Sequence, residues 1–114
     1  MTHPDAGRWN ARYAADGESW LEYQPRQLLL DHAYLLPKRG LALDVAAGVA
    51  NNGTYLARRG LHVVALDISK IALQLALQRA STESLPLSAA VYDLSHLWLP
   101  VDSFDVIVNF HFLE

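Results

Sequence analysis

The sequence contains no cysteine, so neither a disulfide framework nor a thiolate metal site can be built from it. Its five histidines show no paired ligand spacing, which removes the commonest remaining route to a structural metal. Basic residues are few. Nine Lys and Arg face twelve Asp and Glu, and they are scattered rather than gathered into the basic stripe that a phosphate backbone demands. Nucleic acid is therefore not an expected partner. No apolar run approaches the roughly eighteen residues of a membrane span, and the opening "MTHPDAGRWN" lacks the apolar core of a signal peptide. The expectation is a soluble, cytoplasmic protein with no membrane partner.

What the sequence does have is apolar content. With 52% hydrophobic residues over 114 positions, it can form one domain that buries roughly two thirds of the surface its unfolded chain exposes. No internal repeat, low-complexity tract or linker divides it. After a polar, aromatic-dotted opening, Pro25 suits a helical first turn, and Leu28, Leu29, His32, Ala33 and Leu36 follow at helical spacing. Leu41 to Ala46 reads as a buried strand. "NNGTYLARRG" reads as a helix capped by Asn51 or Asn52, with Gly60 just beyond it. "LHVVALD" is a second buried strand, and Ser69 caps a helix whose Leu73, Ala76, Leu77 and Ala80 share one face. "LSAAVYD" is a third strand. The run from Phe104 to Phe110 is a fourth, with β-branched residues on both faces, as a parallel sheet covered by helices requires. The fold class is α/β, a Rossmann-like parallel sheet with helices on both faces.

Each notable polar residue falls at or just past the C-terminal end of a predicted strand, the edge where open parallel sheets bind ligands. Asp44 ends the first strand, Asp67 the second and Asp93 the third, while Asn109 and His111 follow the fourth. Asp67 lies 23 residues after Asp44, close to the spacing at which a carboxylate meets ribose hydroxyls in a nucleotide-binding βαβ unit. The competing reading for any single strand-end Asp is that it caps the next helix or turn. Three in succession weaken that alternative.

The loop "AAGVA" offers Ala46, Gly48 and Ala50 where dinucleotide cradles have G-x-G-x-x-G. A pyrophosphate would also be repelled by Asp44, with no Lys or Arg nearby in the sequence. A cationic or zwitterionic ligand fits better. S-adenosyl-L-methionine offers a sulfonium and an ammonium for acids to face, a ribose diol for Asp67 and an adenine for Asp93.

With those residues in place, "LDVAAGVANNGTYLARRGLHVVALDIS" resembles the first two motifs of class I S-adenosylmethionine-dependent methyltransferases, nearest the tellurite-resistance and thiopurine-type group. The tryptophan-containing "RWNARY" at Arg8 to Tyr13 adds to the likeness. The resemblance implies that Asp44, Ala46, Gly48 and Ala50 cradle the methionine and ribose, that Asp67 holds the ribose hydroxyls, and that Ile68 lies against adenine. It further implies that Asp93 and the backbone of Leu94 read the adenine edge and that Asn109 lies near the methionine end. Ala46 and Ala50 depart from frequent glycines. Ala46 is expected to remain in the strand. Ala50 is tolerated at negative φ, whereas positive φ would cost on the order of 1 kcal/mol and bring its methyl toward the ligand.

By the same resemblance, the full fold has seven strands in the order 3-2-1-4-5-7-6, of which residues 1–114 supply the first four, in the order 3-2-1-4. Residues 1–24 form an N-terminal lid or helix segment, with Trp9, Tyr13, Trp20 and Tyr23 either folding over the cofactor or simply packing on the domain. Residues 25–114 form the cofactor-binding half. The implied function is methyl transfer to a small-molecule acceptor, impaired if the chain ends at residue 114. The alternative is a non-catalytic cofactor- or partner-binding remnant, with the open edge of the fourth strand available for self-association. His111 receives no catalytic role.

Overall fold

Six residues, Gly40–Val45, make strand β1, which lies inside the sheet in the computed structural model; that model describes residues 4–93 and 101–110. On one side β1 pairs in parallel with β2 (Leu61–Asp67), from Gly40 opposite Leu61 to Val45 opposite Leu66. On the other side it pairs with β4 (Val106–Val108), from Ala42 opposite Val106 to Asp44 opposite Val108. Strand β3 (Leu87–Val91) extends the sheet beyond β2, giving the expected order β3-β2-β1-β4. Around the sheet run helices α1 (Pro4–Trp20), α2 (Gln27–Asp31), α3 (Asn51–Arg58) and α4 (Lys70–Glu83), with 3-10 turns at Ala33–Leu35 and Val101–Ser103.

Strand parity assigns the faces. Ala42 of β1, Val63 and Ala65 of β2, Leu87 of β3 and Val108 of β4 form one buried cluster with Leu56 and Ala57 of α3 and Leu73, Ala76 and Ala80 of α4. Leu43, Val45 and Leu66, one residue out of phase, bury on the opposite face against Phe104. Among the described residues α2, α3 and α4 pack on the first face, so the helical cover expected on both faces is seen on one. Parity also turns Asp44 and Asp67 toward that face, where α3 and α4 begin.

Several local expectations are corrected. The helix expected from Pro25 to Leu36 shrinks to one turn plus a 3-10 turn, and only Leu29 of α2 is buried. Leu36 precedes Pro37, which disfavours helical backbone, and it is extended at φ −75° and ψ 139°. β4 is three residues long rather than seven. Its start is fixed by Asp105, whose carboxylate accepts from the Leu41 N–H at 2.8 Å. Helix α4 starts as expected, the Ser69 hydroxyl accepting from the Ala72 N–H at 3.2 Å, and Leu73, Ala76 and Ala80 are buried together, but Leu77, expected on the same face, is exposed.

Candidate functional site

The loop from β1 to α3 is built on left-handed backbone. Ala46 has φ +55°, Gly48 +58° and Ala50 +60°. The Ala46 expectation is therefore corrected, since it has left the strand, and of the two cases weighed for Ala50 the positive-φ one holds. The neighbourhood compensates with hydrogen bonds. The Ala47 N–H donates to Leu66 O at 2.9 Å, the Ala50 N–H to Ala47 O at 2.8 Å and the Thr54 N–H to Ala50 O at 2.8 Å. Ala50 is fully buried in the main core, so its methyl faces the protein and not a ligand. It also stands at the N-cap of α3, where Asn51 or Asn52 was expected to act. Those two residues hold other segments instead. Asn51 Nδ2 donates to Trp20 O at 2.9 Å, and Asn52 Oδ1 accepts from the Arg26 N–H at 2.8 Å.

Asp44 is buried, and its Oδ2 accepts from the Gly53 N–H in the first turn of α3 at 2.9 Å. A Cβ on Gly53 would lie 2.9 Å from that oxygen, so only glycine admits this approach. Burial pushes the Asp44 carboxyl up to about 7; the Gly53 hydrogen bond opposes the shift, and the nearby Asp67 charge adds to it. Asp44 thus caps a helix, the alternative that the sequence left open for any strand-end acid. Asp67, at the end of β2, does both jobs. Its Oδ1 accepts from the Gly48 N–H at 3.1 Å and its Oδ2 from the Ser69 N–H at 2.9 Å, yet it also lines the cleft.

Helix α1 closes the other side. Asn10 Oδ1 accepts from the Ser69 hydroxyl at 2.7 Å and from the Ile71 N–H at 3.3 Å, which fastens α1 to the start of α4. Tyr13 is buried, with its ring 4.9 Å from Trp20 edge-on and 5.9 Å from Trp9. Its hydroxyl lies over the loop, where a Cβ on Gly48 would meet it at 2.8 Å. Burial first, then the Asp67 charge, lifts the Tyr13 phenol to about 12, so it stays neutral at physiological pH. The Arg12 guanidinium stands 5.4 Å from the Trp9 ring and 5.3 Å from the Trp20 ring.

Between α1 and the loop lies a cleft of about 940 Å³. Its wall brings together Ala46, Gly48, Asp67 and Ile68 of the sequence-derived set, and with them Trp9, Tyr13, Trp20 and Tyr23. Asp44 and Ala50 support the wall from behind. Asp93, part-buried two residues past β3, and Asn109, exposed just after β4, are not among the residues lining it. Leu94, Trp98 and His111 lie outside the described residues. Sequence reasoning missed Arg8, Arg12 and Arg26, which also line the cleft. The i, i+4 spacing of Arg8 and Arg12 was the available signal, but their approach to the loop depends on how α1 docks.

Comparison with known proteins finds the same fold. A structure described under the conversion of a disulfide bond into a thioacetal group during echinomycin biosynthesis is similar at 24% identity and TM-score 0.64, over 77% of this chain and 40% of that one. A TehB-like SAM-dependent methyltransferase from Corynebacterium glutamicum aligns at 22% identity and TM-score 0.62, over 90% and 52%. Phosphoethanolamine N-methyltransferase 2 of Haemonchus contortus, in complex with S-adenosyl-L-methionine, aligns at 28% identity and TM-score 0.59, over 70% and 19%. The chain thus spans about half or less of the length of these relatives. No curated protein sequence matches it. The profile of the methyltransferase domain family, however, matches residues 42–114, more than half of the sequence, and the chain belongs to that family.

Proposed function

We propose that this chain binds S-adenosyl-L-methionine in the cleft between α1 and the β1–α3 loop and takes part in methyl transfer to a small-molecule acceptor, as a cytoplasmic protein nearest the tellurite-resistance and thiopurine-type group. The observation that carries the reading is the Asp67 carboxylate at the C-terminal end of β2. It lines a cleft of about 940 Å³ whose floor is the left-handed loop and whose roof is aromatic. The donor set fits the ligand. Asp67 suits a ribose diol, Ile68 and the indoles offer apolar faces to adenine, and the guanidinium groups of Arg12 and Arg26 suit a carboxylate. When bound, the cofactor supplies the methyl group on its sulfonium. The protein's part is to hold and orient, and alignment of donor and acceptor alone can supply roughly 7 to 11 kcal/mol. Residues 4–20 act as the lid, because Trp9, Tyr13 and Trp20 keep water from the loop side of the cleft.

Calorimetry with S-adenosylhomocysteine tests this. Asp67→Asn keeps the shape and an acceptor but loses the charge, and Asp67→Ala loses both. Each charged hydrogen bond lost is expected to weaken binding by about 1.5 to 3 kcal/mol. Unchanged affinity in both variants, or no binding by the unmodified chain, overturns the assignment.

A further inference from the structure

We propose that Arg79, on α4 and outside the cleft wall, is a positioning residue that sets the cofactor loop and the lid together; this rests on the cofactor reading of the cleft. Its guanidinium makes four hydrogen bonds to three separate segments. Nη1 donates to Leu21 O at 3.1 Å, just past the end of α1, and to Asn51 Oδ1 at 2.9 Å. Nη2 donates to Val49 O at 2.8 Å, in the loop, and to Thr54 Oγ1 at 3.0 Å, in α3. All four acceptors are neutral, and its Nε is buried with no partner. Burial lowers the pKa of this half-buried cation. A cation held this way is costly as a stabilising device, because its direct hydrogen-bond acceptors are neutral dipoles and the Glu83 charge offsets less than burial takes away. Its geometry suits a different task.

Val49 O belongs to the peptide joining Val49 to Ala50, and the orientation of that peptide depends on the backbone angles on either side of it. Arg79 therefore reads the left-handed conformation of Ala50, at φ +60°, and favours it. The same guanidinium holds Asn51, whose Nδ2 donates to Trp20 O. Lid end, loop and helix start thus meet on one side chain. The loop can hold its strained form, with Gly48 under the Tyr13 hydroxyl, because the lid and the loop share a fixed post.

The test uses Arg79→Met and Arg79→Lys in this chain, read by amide hydrogen exchange and by calorimetry with S-adenosylhomocysteine. In the methionine variant, amides of residues 47–54 and 21–24 are expected to exchange faster together, while those of β1 and β2 keep their protection. Affinity is expected to fall roughly ten- to a hundredfold, with the lysine variant intermediate because one ammonium cannot span four acceptors. Should the methionine variant not fold, the lysine variant decides both readouts. Exchange confined to one segment overturns the coupling, and unchanged affinity despite faster exchange overturns the positioning role. No binding by the unmodified chain overturns the cofactor reading and the ligand half of this proposal, leaving exchange to decide the tether.

Discussion

Ala46 and Ala50 share a backbone conformation and differ in surroundings, which makes them a natural pair for separating strain from packing. Glycine at either position relieves a left-handed alanine, an effect on the order of 1 kcal/mol, and at either position it frees the unfolded chain by about 0.4 to 1 kcal/mol. Only Ala50 loses a fully buried methyl. Ala50→Gly is therefore expected to be about 0.8 kcal/mol less stable than Ala46→Gly in denaturant unfolding. Equal stabilities would mean that the Ala50 methyl packs against nothing of consequence. Asp44 gives a second expectation. Because its carboxyl is raised from 3.8 to about 7, the folded state holds the proton more tightly than the unfolded chain does. The contribution is full below pH 3.8, declines as pH rises, and is lost above about 7. Asp44→Asn keeps an acceptor for the Gly53 N–H without titrating. Unfolding midpoints of the two proteins against pH should converge toward the acid end and separate toward neutrality, and parallel curves would refute the assignment. Which strand-end acid faces a ligand and which caps a helix was not legible in the sequence, because both tasks use the same residue at the same register. The closeness of Gly53 decides it, and that is a fact of packing.

Among the elements, the strands were legible because β-branched runs bounded by turn residues have few alternatives, whereas their order came from the family resemblance. Helix α4 was equally plain from Ser69 and its apolar stripe. The extent of the α2 segment was not: Pro37 marks where helical backbone must have stopped, but the earlier break at His32 carries neither proline nor glycine to announce it. Helix α1 was seen as an aromatic segment, but its arginines could not be placed without knowing which face meets α4. Strand β4 carries a consequence of its own. It is the outer strand among the described residues, it has no lysine or proline, and its Ile107 is 41% exposed. Such an edge offers backbone donors and acceptors to another chain. A 114-residue polypeptide is expected to self-associate through it, and Ile107→Lys is expected to reduce that association. Sedimentation at micromolar concentrations checks both, and a monomer without the substitution would sink the idea.

At the scale of the whole molecule, the first described element depends on the later ones. Helix α1 rests on Ser69 and Ile71 through Asn10, and its end rests on Asn51 directly and on Arg79 through Leu21 O. Helix α1 is thus tied to parts of the chain that lie far along the sequence, while the sheet between them is assembled from parallel crossovers, an arrangement slow to form because distant segments must meet. During synthesis this order is reversed. Trp9, Tyr13 and Trp20 leave the ribosome before the α4 residues they pack against, Ile71, Ala72 and Leu75, have followed. About sixty residues separate Trp20 from Glu83, and at about 5–20 residues per second their addition takes several seconds. For that interval the nascent chain displays an amphipathic aromatic segment in search of a surface, the kind of exposed apolar stretch that chaperones hold and that neighbouring nascent chains can capture.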